Sequence, residues 1–348
     1  MKAIGYAKNS KCMKNYFFII LLFITTPAQP AATEEPAHKA PRFSTNLQAY
    51  EYLFSCKDPG QILDKYDNTL LHLAAYNDYL PWIKHLLKVG ANVNAQQKTH
   101  LWTPLHGAAL NGHKQCIEYL IKNGALNLPD NELYTPLHYV ALNNYRACLP
   151  IFTHYKFDFN VKTIEGYTPL HLATRQDRRE MVCDLILRGA GVDECDKQGR
   201  TPLHHAAFYN CFDIAFNLIL YEANVKVEDR KLNTPLHYAA LNNNQAVVDL
   251  LIRKGANVNA ANARGKTPLH LAATHNNFIC VKLLMEAKSD PSIVDNNGNT
   301  PTHYALLNGH RNIAEYLQLV SRPKSTSIEQ LADVLSKFRL KRNRTFSS

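Results

Sequence analysis

Between residues 69 and 321 one order of apolar and polar positions returns eight times. A Thr is followed by Pro, Leu and His, then by small apolar residues such as the pairs Ala74-Ala75, Ala108-Ala109, Ala206-Ala207, Ala239-Ala240 and Ala272-Ala273. Nine positions after each Thr stands Asp78, Gly112, Asn144, Asp177, Asn210, Asn243, Asn276 or Gly309. All are residue types that tolerate the left-handed conformation ending a helix. Apolar residues then recur at i, i+3 and i+4, as in Ile117-Leu120-Ile121, Val182-Leu185-Ile186, Val248-Leu251-Ile252 and Val281-Leu284-Met285. Gly124, Gly189 or Gly255 closes this second stretch before a polar loop. The pattern predicts two short helices per unit, the first with Thr as N-cap and Pro at its opening position. No unit buries its apolar face alone, so the units must stack.

The tetrapeptide Thr-Pro-Leu-His stands at Thr103–His106, Thr135–His138, Thr168–His171, Thr201–His204, Thr234–His237 and Thr267–His270. Degenerate copies flank it at Thr69–His72 and Thr300–His303, and the successive spacings are 34, 32 and then five times 33 residues. Period and signature together resemble the ankyrin repeat family over about residues 64–321. The resemblance implies an all-α, ankyrin-type solenoid of stacked helix-turn-helix repeats joined by hairpin-like loops. It also implies a protein-interaction role, with an unidentified protein as partner; a monomer is the expected state of the chain.

Terminal units of a stack need a polar outer face. In the eighth unit Thr302 replaces Leu and Gln318 replaces an apolar residue. Beyond it, Thr326-Ser-Ile-Glu329 is a capping-box pattern, and Ile328, Leu331, Leu335 and Phe338 share one helical face. A C-terminal capping helix is therefore expected within 322–338, followed by a solvated basic tail at 339–348. Leu47, Tyr50, Leu53 and Phe54 predict an N-terminal capping helix within 45–63.

The net charge of +10 changes meaning once it is located. Residues 1–31 hold four Lys and no acid, and residues 322–348 hold seven Lys/Arg against Glu329 and Asp333, which leaves the body at +1. Net charge thus gives no reason to expect a polyanion-binding body, and nucleic acid is not the expected partner. The apolar run 15–26 follows Lys2, Lys8, Lys11 and Lys14 and precedes small residues. About a dozen residues at 1.5 Å rise cannot cross roughly 30 Å of hydrocarbon. The layout is that of a signal peptide over 1–28, cut after Ala28, with Met13 as an alternative start. Residues 29–44 read as a flexible linker. Export is the expectation, with no transmembrane span left after cleavage. An uncleaved leader would leave the chain membrane-anchored or cytoplasmic instead.

Sixteen His and eight Cys invite a metal or redox reading. Eight of the His are the fourth signature residue, one per unit, and packed helices lie about 8–10 Å apart, too far to share a zinc ion. They read as structural polar groups, as do His113 and His310, while His205 reads as a surface residue. Cys116, Cys148 and Cys280 occupy positions filled elsewhere by Ile, Val or Met and read as core residues. Such cysteine usage fits a reducing compartment and is in tension with the leader, but buried thiols stay reduced in either setting. No phosphate-binding glycine loop, nucleophile elbow or zinc-protease motif occurs. The expectation is a chain without catalytic residues, bound metal or cofactor.

By the same resemblance, partners are held on a concave surface built from loop tips and first helices. The variable positions lie one, three and four residues before each Thr and seven and eight after it. They supply aromatic Trp102, Tyr134 and Tyr167 early, basic Lys197, Arg200, Arg230, Lys231, Arg264 and Lys266 late, and Phe208 and Tyr209 where the zones meet. Aromatic residues and Arg are enriched in binding hot spots. In the competing reading, Trp102 and the tyrosines pack sideways on the next loop and the bases form a solvated face. A second function stays open as well, in which the basic loops and tail bind nucleic acid or acidic lipid.

Overall fold

The computed structural model describes residues 68–321, which form sixteen α-helices in eight units. Units one to four are α1 (Leu70–Tyr76) and α2 (Leu80–Lys88), α3 (Pro104–Asn111) and α4 (Lys114–Lys122), α5 (Pro136–Leu142) and α6 (Leu149–His154), α7 (Pro169–Arg175) and α8 (Arg179–Ile186). Units five to eight are α9 (Pro202–Tyr209) and α10 (Phe212–Leu220), α11 (Pro235–Leu241) and α12 (Gln245–Arg253), α13 (Pro268–Thr274) and α14 (Phe278–Glu286), α15 (Pro301–Leu307) and α16 (Arg311–Val320). The leader 1–28, linker 29–44, capping helices within 45–63 and 322–338, and tail 339–348 lie outside the described residues. The expected stack of helix pairs is what the chain forms.

Each first helix is started by its Thr, held in extended backbone, as at Thr201 with φ −86° and ψ 168°. The Thr103 N–H donates to His106 Nδ1 at 3.0 Å, and the same bond recurs in every unit, from Thr69 to Thr300. The other ring nitrogen points across to the next unit, where His106 Nε2 meets the Tyr134 carbonyl at 3.1 Å and His171 Nε2 meets the Arg200 carbonyl at 3.0 Å. A carbonyl only accepts, so Nε2 carries the proton and Nδ1 is the bare acceptor. Each signature His thus caps its own helix, and those of units one to seven also tie down the following loop.

The turn out of each first helix also follows the sequence. All eight residues nine positions after Thr have positive φ, from 52° at Asp177 to 76° at Gly309. Carbonyls left open at the helix ends are closed by the next unit. Asn111 and His113 donate to the Tyr76 carbonyl, Asn143 to that of Leu110, and Asn244 and Asn277 to those of Ala207 and Ala240. In unit three the second helix opens with a 3-10 turn at Arg146–Cys148, because Pro150 has no N–H to complete an α-helical turn.

One continuous core runs the length of the stack. Leu105, Leu137, Leu170, Leu203, Leu236 and Leu269, the third signature residues, are fully buried among the Ala pairs and the inward faces of the second helices. Cys116, Cys148 and Cys280 lie in it as expected, and burial pushes their thiols up, Cys116 to about 12 and the other two to about 11. First helices approach one another more closely than second helices do, since Ala and Gly leave room. At Gly107 an added Cβ would meet Tyr76 Cβ at 3.3 Å. A stack tighter along one row curves with that row inside.

Candidate interaction face

Five of the loops that precede first helices are built on a side-chain acceptor five residues before Thr. Asp196 Oδ1 takes the N–H groups of Gln198 and Arg200, each at 2.9 Å, and Asp130, Asp229, Asn262 and Asp295 do the same in their units. Such side-chain-closed turns hold a loop without a strand. Adjacent loops are joined by one backbone bond each, from Asn131 N–H to the His100 carbonyl through to Asn296 N–H to the Arg264 carbonyl. The tips therefore form a continuous edge beside the row of first helices.

Tyr167, Arg200, Phe208 and Tyr209 come together where units four and five meet. Arg200 donates from Nε to Asp196 Oδ2 at 2.9 Å and from Nη2 to the Tyr167 hydroxyl at 3.3 Å. Arg175, seven residues after its Thr, lays its guanidinium 4.5 Å from the centre of the Tyr167 ring and 5.9 Å from that of Tyr209. Phe208 is exposed and packs edge-on against Tyr209 and Tyr238. A cation held over aromatic faces keeps its charge and is already oriented for an incoming group. Arg175 was not among the residues expected to bind, although it is the one Lys or Arg at that position in any unit.

His205 anchors this cluster from beneath and corrects an expectation. It is buried, not at the surface, and sits 3.0 Å from Asp196 Oδ2. Burial pushes its imidazole down to about 4. Burial alone would raise the Asp196 carboxyl, but the bonds from His205 and Arg200 outweigh it and hold it below the usual carboxylate range.

Of the two readings of the early aromatic zone, Trp102 follows the sideways packing and not the exposed anchor. Trp102 is only 7% exposed. Its ring stacks on His106, meets Tyr139 edge-on at 5.3 Å, and its Nε1–H donates to Asp130 Oδ2 at 3.2 Å. It is mortar between units two and three, the sideways packing that an indole with one polar atom favours when an acceptor is in reach. Tyr134 is half-buried against His138 and Tyr139. The exposed apolar groups of these loops are Leu101, Leu133 and Ile164.

Leu101, Leu133 and Leu232 have φ of 58–59°, two residues before Thr, where the other loops carry Gly166, Gly199, Gly265 and Gly298 at positive φ. A left-handed Leu is disfavoured by roughly 1–2 kcal/mol, yet all three are exposed. The signal was present in the sequence as Leu replacing Gly at one register position.

The basic residues form a row instead of a cluster. Lys197, Arg230, Lys231 and Arg264 stand exposed on three successive tips. Lys266 is half-buried, with Nζ 3.9 Å from the centre of the Tyr304 ring.

A family model for ankyrin repeats (3 copies) matches residues 71–163, 141–229, 170–262 and 236–324. Over 131 residues, 37% of the chain, the sequence is 28% identical to "Putative E3 ubiquitin-protein ligase XBAT31" of Arabidopsis thaliana, covering 24% of that protein. Over 59 residues, 17% of the chain, it is 41% identical to "2-5A-dependent ribonuclease" of Homo sapiens, covering 8% of it. The chain thus spans a quarter or less of these relatives' own lengths.

Proposed function

The chain belongs to the ankyrin repeat family, and from that premise we propose that it is an exported, non-enzymatic protein that holds a partner protein against its concave face. The observation that carries this reading is the Arg175 guanidinium over Tyr167 and Tyr209, bordered by exposed Phe208 and flanked by the basic tips. Aromatic residues and Arg supply contact area and directed charge at little entropic cost. Export rests on the lysines ahead of the apolar run 15–26. N-terminal sequencing of the protein should begin near Gln29, and an intact Met1 or Met13 in a cytosolic fraction would count against export.

Affinity capture from the compartment the protein reaches supplies the partner for the binding test. Arg175→Ala with Phe208→Ala should raise the dissociation rate, whereas Arg230→Ala with Lys231→Ala should slow association, most visibly below about 0.1 M salt. If neither pair changes either rate, the partner does not use this face.

The exposed tips Lys197, Arg230, Lys231 and Arg264 favour the second reading, a binder of nucleic acid or acidic lipid. Phosphate contacts release counterions, so that reading requires affinity to fall steeply and log-linearly with salt.

A further inference from the structure

The outer surface of α10 is unlike that of any other second helix. Its buried side is Ile214, Ala215 and Leu218, as the core requires. Its outward side is Phe212, Phe216 and Leu220, exposed by 40%, 44% and 66%. In unit two the same three positions hold Lys114, Glu118 and Lys122. Leu187, at the end of α8, extends the patch and is 68% exposed. A helix with large apolar side chains on its outward as well as its inward face is ordinarily covered on both, and a cluster of four large apolar side chains is the kind of patch that marks an interface.

We propose that this patch is a homodimer interface, with α10 of one copy packed across a two-fold axis on α10 of a second. The charges around it select that occupant. Arg179 pairs with Asp213 and Asp177, Arg253 with Asp249, and both Arg146 and Arg188 with Asp184. These arginines and aspartates are neutralised within the chain, so two identical surfaces meet without like-charge repulsion from them. They offer no free positive charge to draw in an anionic membrane or an acidic partner. Residues spaced i, i+4 and i+8 are also their own complement under a two-fold rotation, with Phe216 near the axis. The loops and first helices remain open, so the pairing is independent of what the concave face binds. It departs from the monomer expected from sequence.

Four side chains and their rim fall at the low end of stable interfaces, about 1,200 Å² in total, which points to a dimer with a dissociation constant in the micromolar range. Sedimentation velocity of the purified protein over about 1–100 μM should show a reversible monomer–dimer equilibrium. Phe216→Glu should weaken it at least about tenfold, and Leu220→Gln should weaken it in the same direction. Both side chains are exposed, so circular dichroism and the thermal midpoint should stay near wild type; if Phe216→Glu fails to fold, Leu220→Gln decides. A wild-type protein that stays monomeric throughout overturns the proposal, as does a dimer indifferent to the variants. Binding of monomeric protein to phosphatidylcholine vesicles, lost in Phe216→Glu, would also overturn it.

Discussion

His205 Nε2 and Asp196 Oδ2 lie 3.0 Å apart with both side chains buried, nine residues apart in the chain. The same register recurs with a different donor in three other units, where the hydroxyls of Tyr139, Tyr238 and Tyr304 donate to Asp130, Asp229 and Asp295. Where the loop carries Gln97, Thr163 or Asn262 instead of Asp, the helix carries Gly107, Leu172 or Leu271 instead of a donor. One carboxylate oxygen is occupied by the loop's own N–H groups, and the second, facing the helix, needs a partner. Over units two to eight the two positions change together, because either one alone would leave a polar group unmet.

Coupling between these positions is therefore measurable. Tyr238→Phe should lower stability by about 1–2 kcal/mol, since Asp229 keeps its loop donors. Combined with Asp229→Ala, the loss should fall short of the sum of the single changes by about 0.5–3 kcal/mol. Strict additivity in urea unfolding would contradict a shared hydrogen bond.

Acid should weaken the stack well before its carboxylates titrate. Burial holds His106, His138, His204, His205 and His237 at about 4 and His171 at about 3, against an ordinary value of 6.5. Between these limits the unfolded chain binds protons that the folded chain refuses, so stability is full above about pH 6.5 and falls as the pH drops toward 4. Each such His removes on the order of 1 kcal/mol by about pH 5.5. Urea midpoints should hold steady from about pH 8 to 7 and then decline; a midpoint rising on acidification would contradict the assigned tautomers.

Core and interface truncations should rank by burial. Leu203→Ala, at a fully buried central site, should cost about 2–5 kcal/mol. Trp102→Ala should cost about 3–5 kcal/mol and act on folding first, because its ring lies between units. Thr302→Ala, half-buried in the last described unit, should cost at most about 1–2 kcal/mol. Equal denaturation midpoints for wild type and Leu203→Ala would break the stacking register.

The left-handed tips separate strain from packing. Leu133→Gly removes the side chain that makes φ 59° unfavourable, offset by the entropy of Gly in the unfolded chain. Its net effect should lie between neutral and about 1 kcal/mol stabilising. The reverse change Gly166→Leu should destabilise, since a Cβ there would stand 2.6 Å from the Lys197 backbone nitrogen. A large loss from Leu133→Gly would show that the exposed Leu packs on something.

Local chemistry was legible residue by residue. Thr before Pro starts each first helix, a Gly, Asn or Asp nine residues later ends it, and the interval of about 33 residues sets how many units stack. These features depend on backbone preferences within one turn of chain, so a linear reading captures them. The third signature Leu goes to the core for a similar reason, as the apolar period allows it only one face.

What tertiary structure decided is how far side chains reach into the next unit. Trp102 fitted an exposed anchor and sideways packing equally well in the sequence, but Asp130 lies within reach of its Nε1 and the ring turns inward. His205 looked like a surface residue beside His204, but an α-helix turns about 100° per residue, and that turn aims it at Asp196. Arg175 stands over Tyr167 and Tyr209 only because three neighbouring segments converge there. The Phe212–Phe216–Leu220 stripe fits a helical period as well as any core stripe does, so which side of α10 faces solvent was settled by the three helices packed against it, α8, α9 and α12. Period tells which residues share a face; the distance between neighbouring units tells which face is covered.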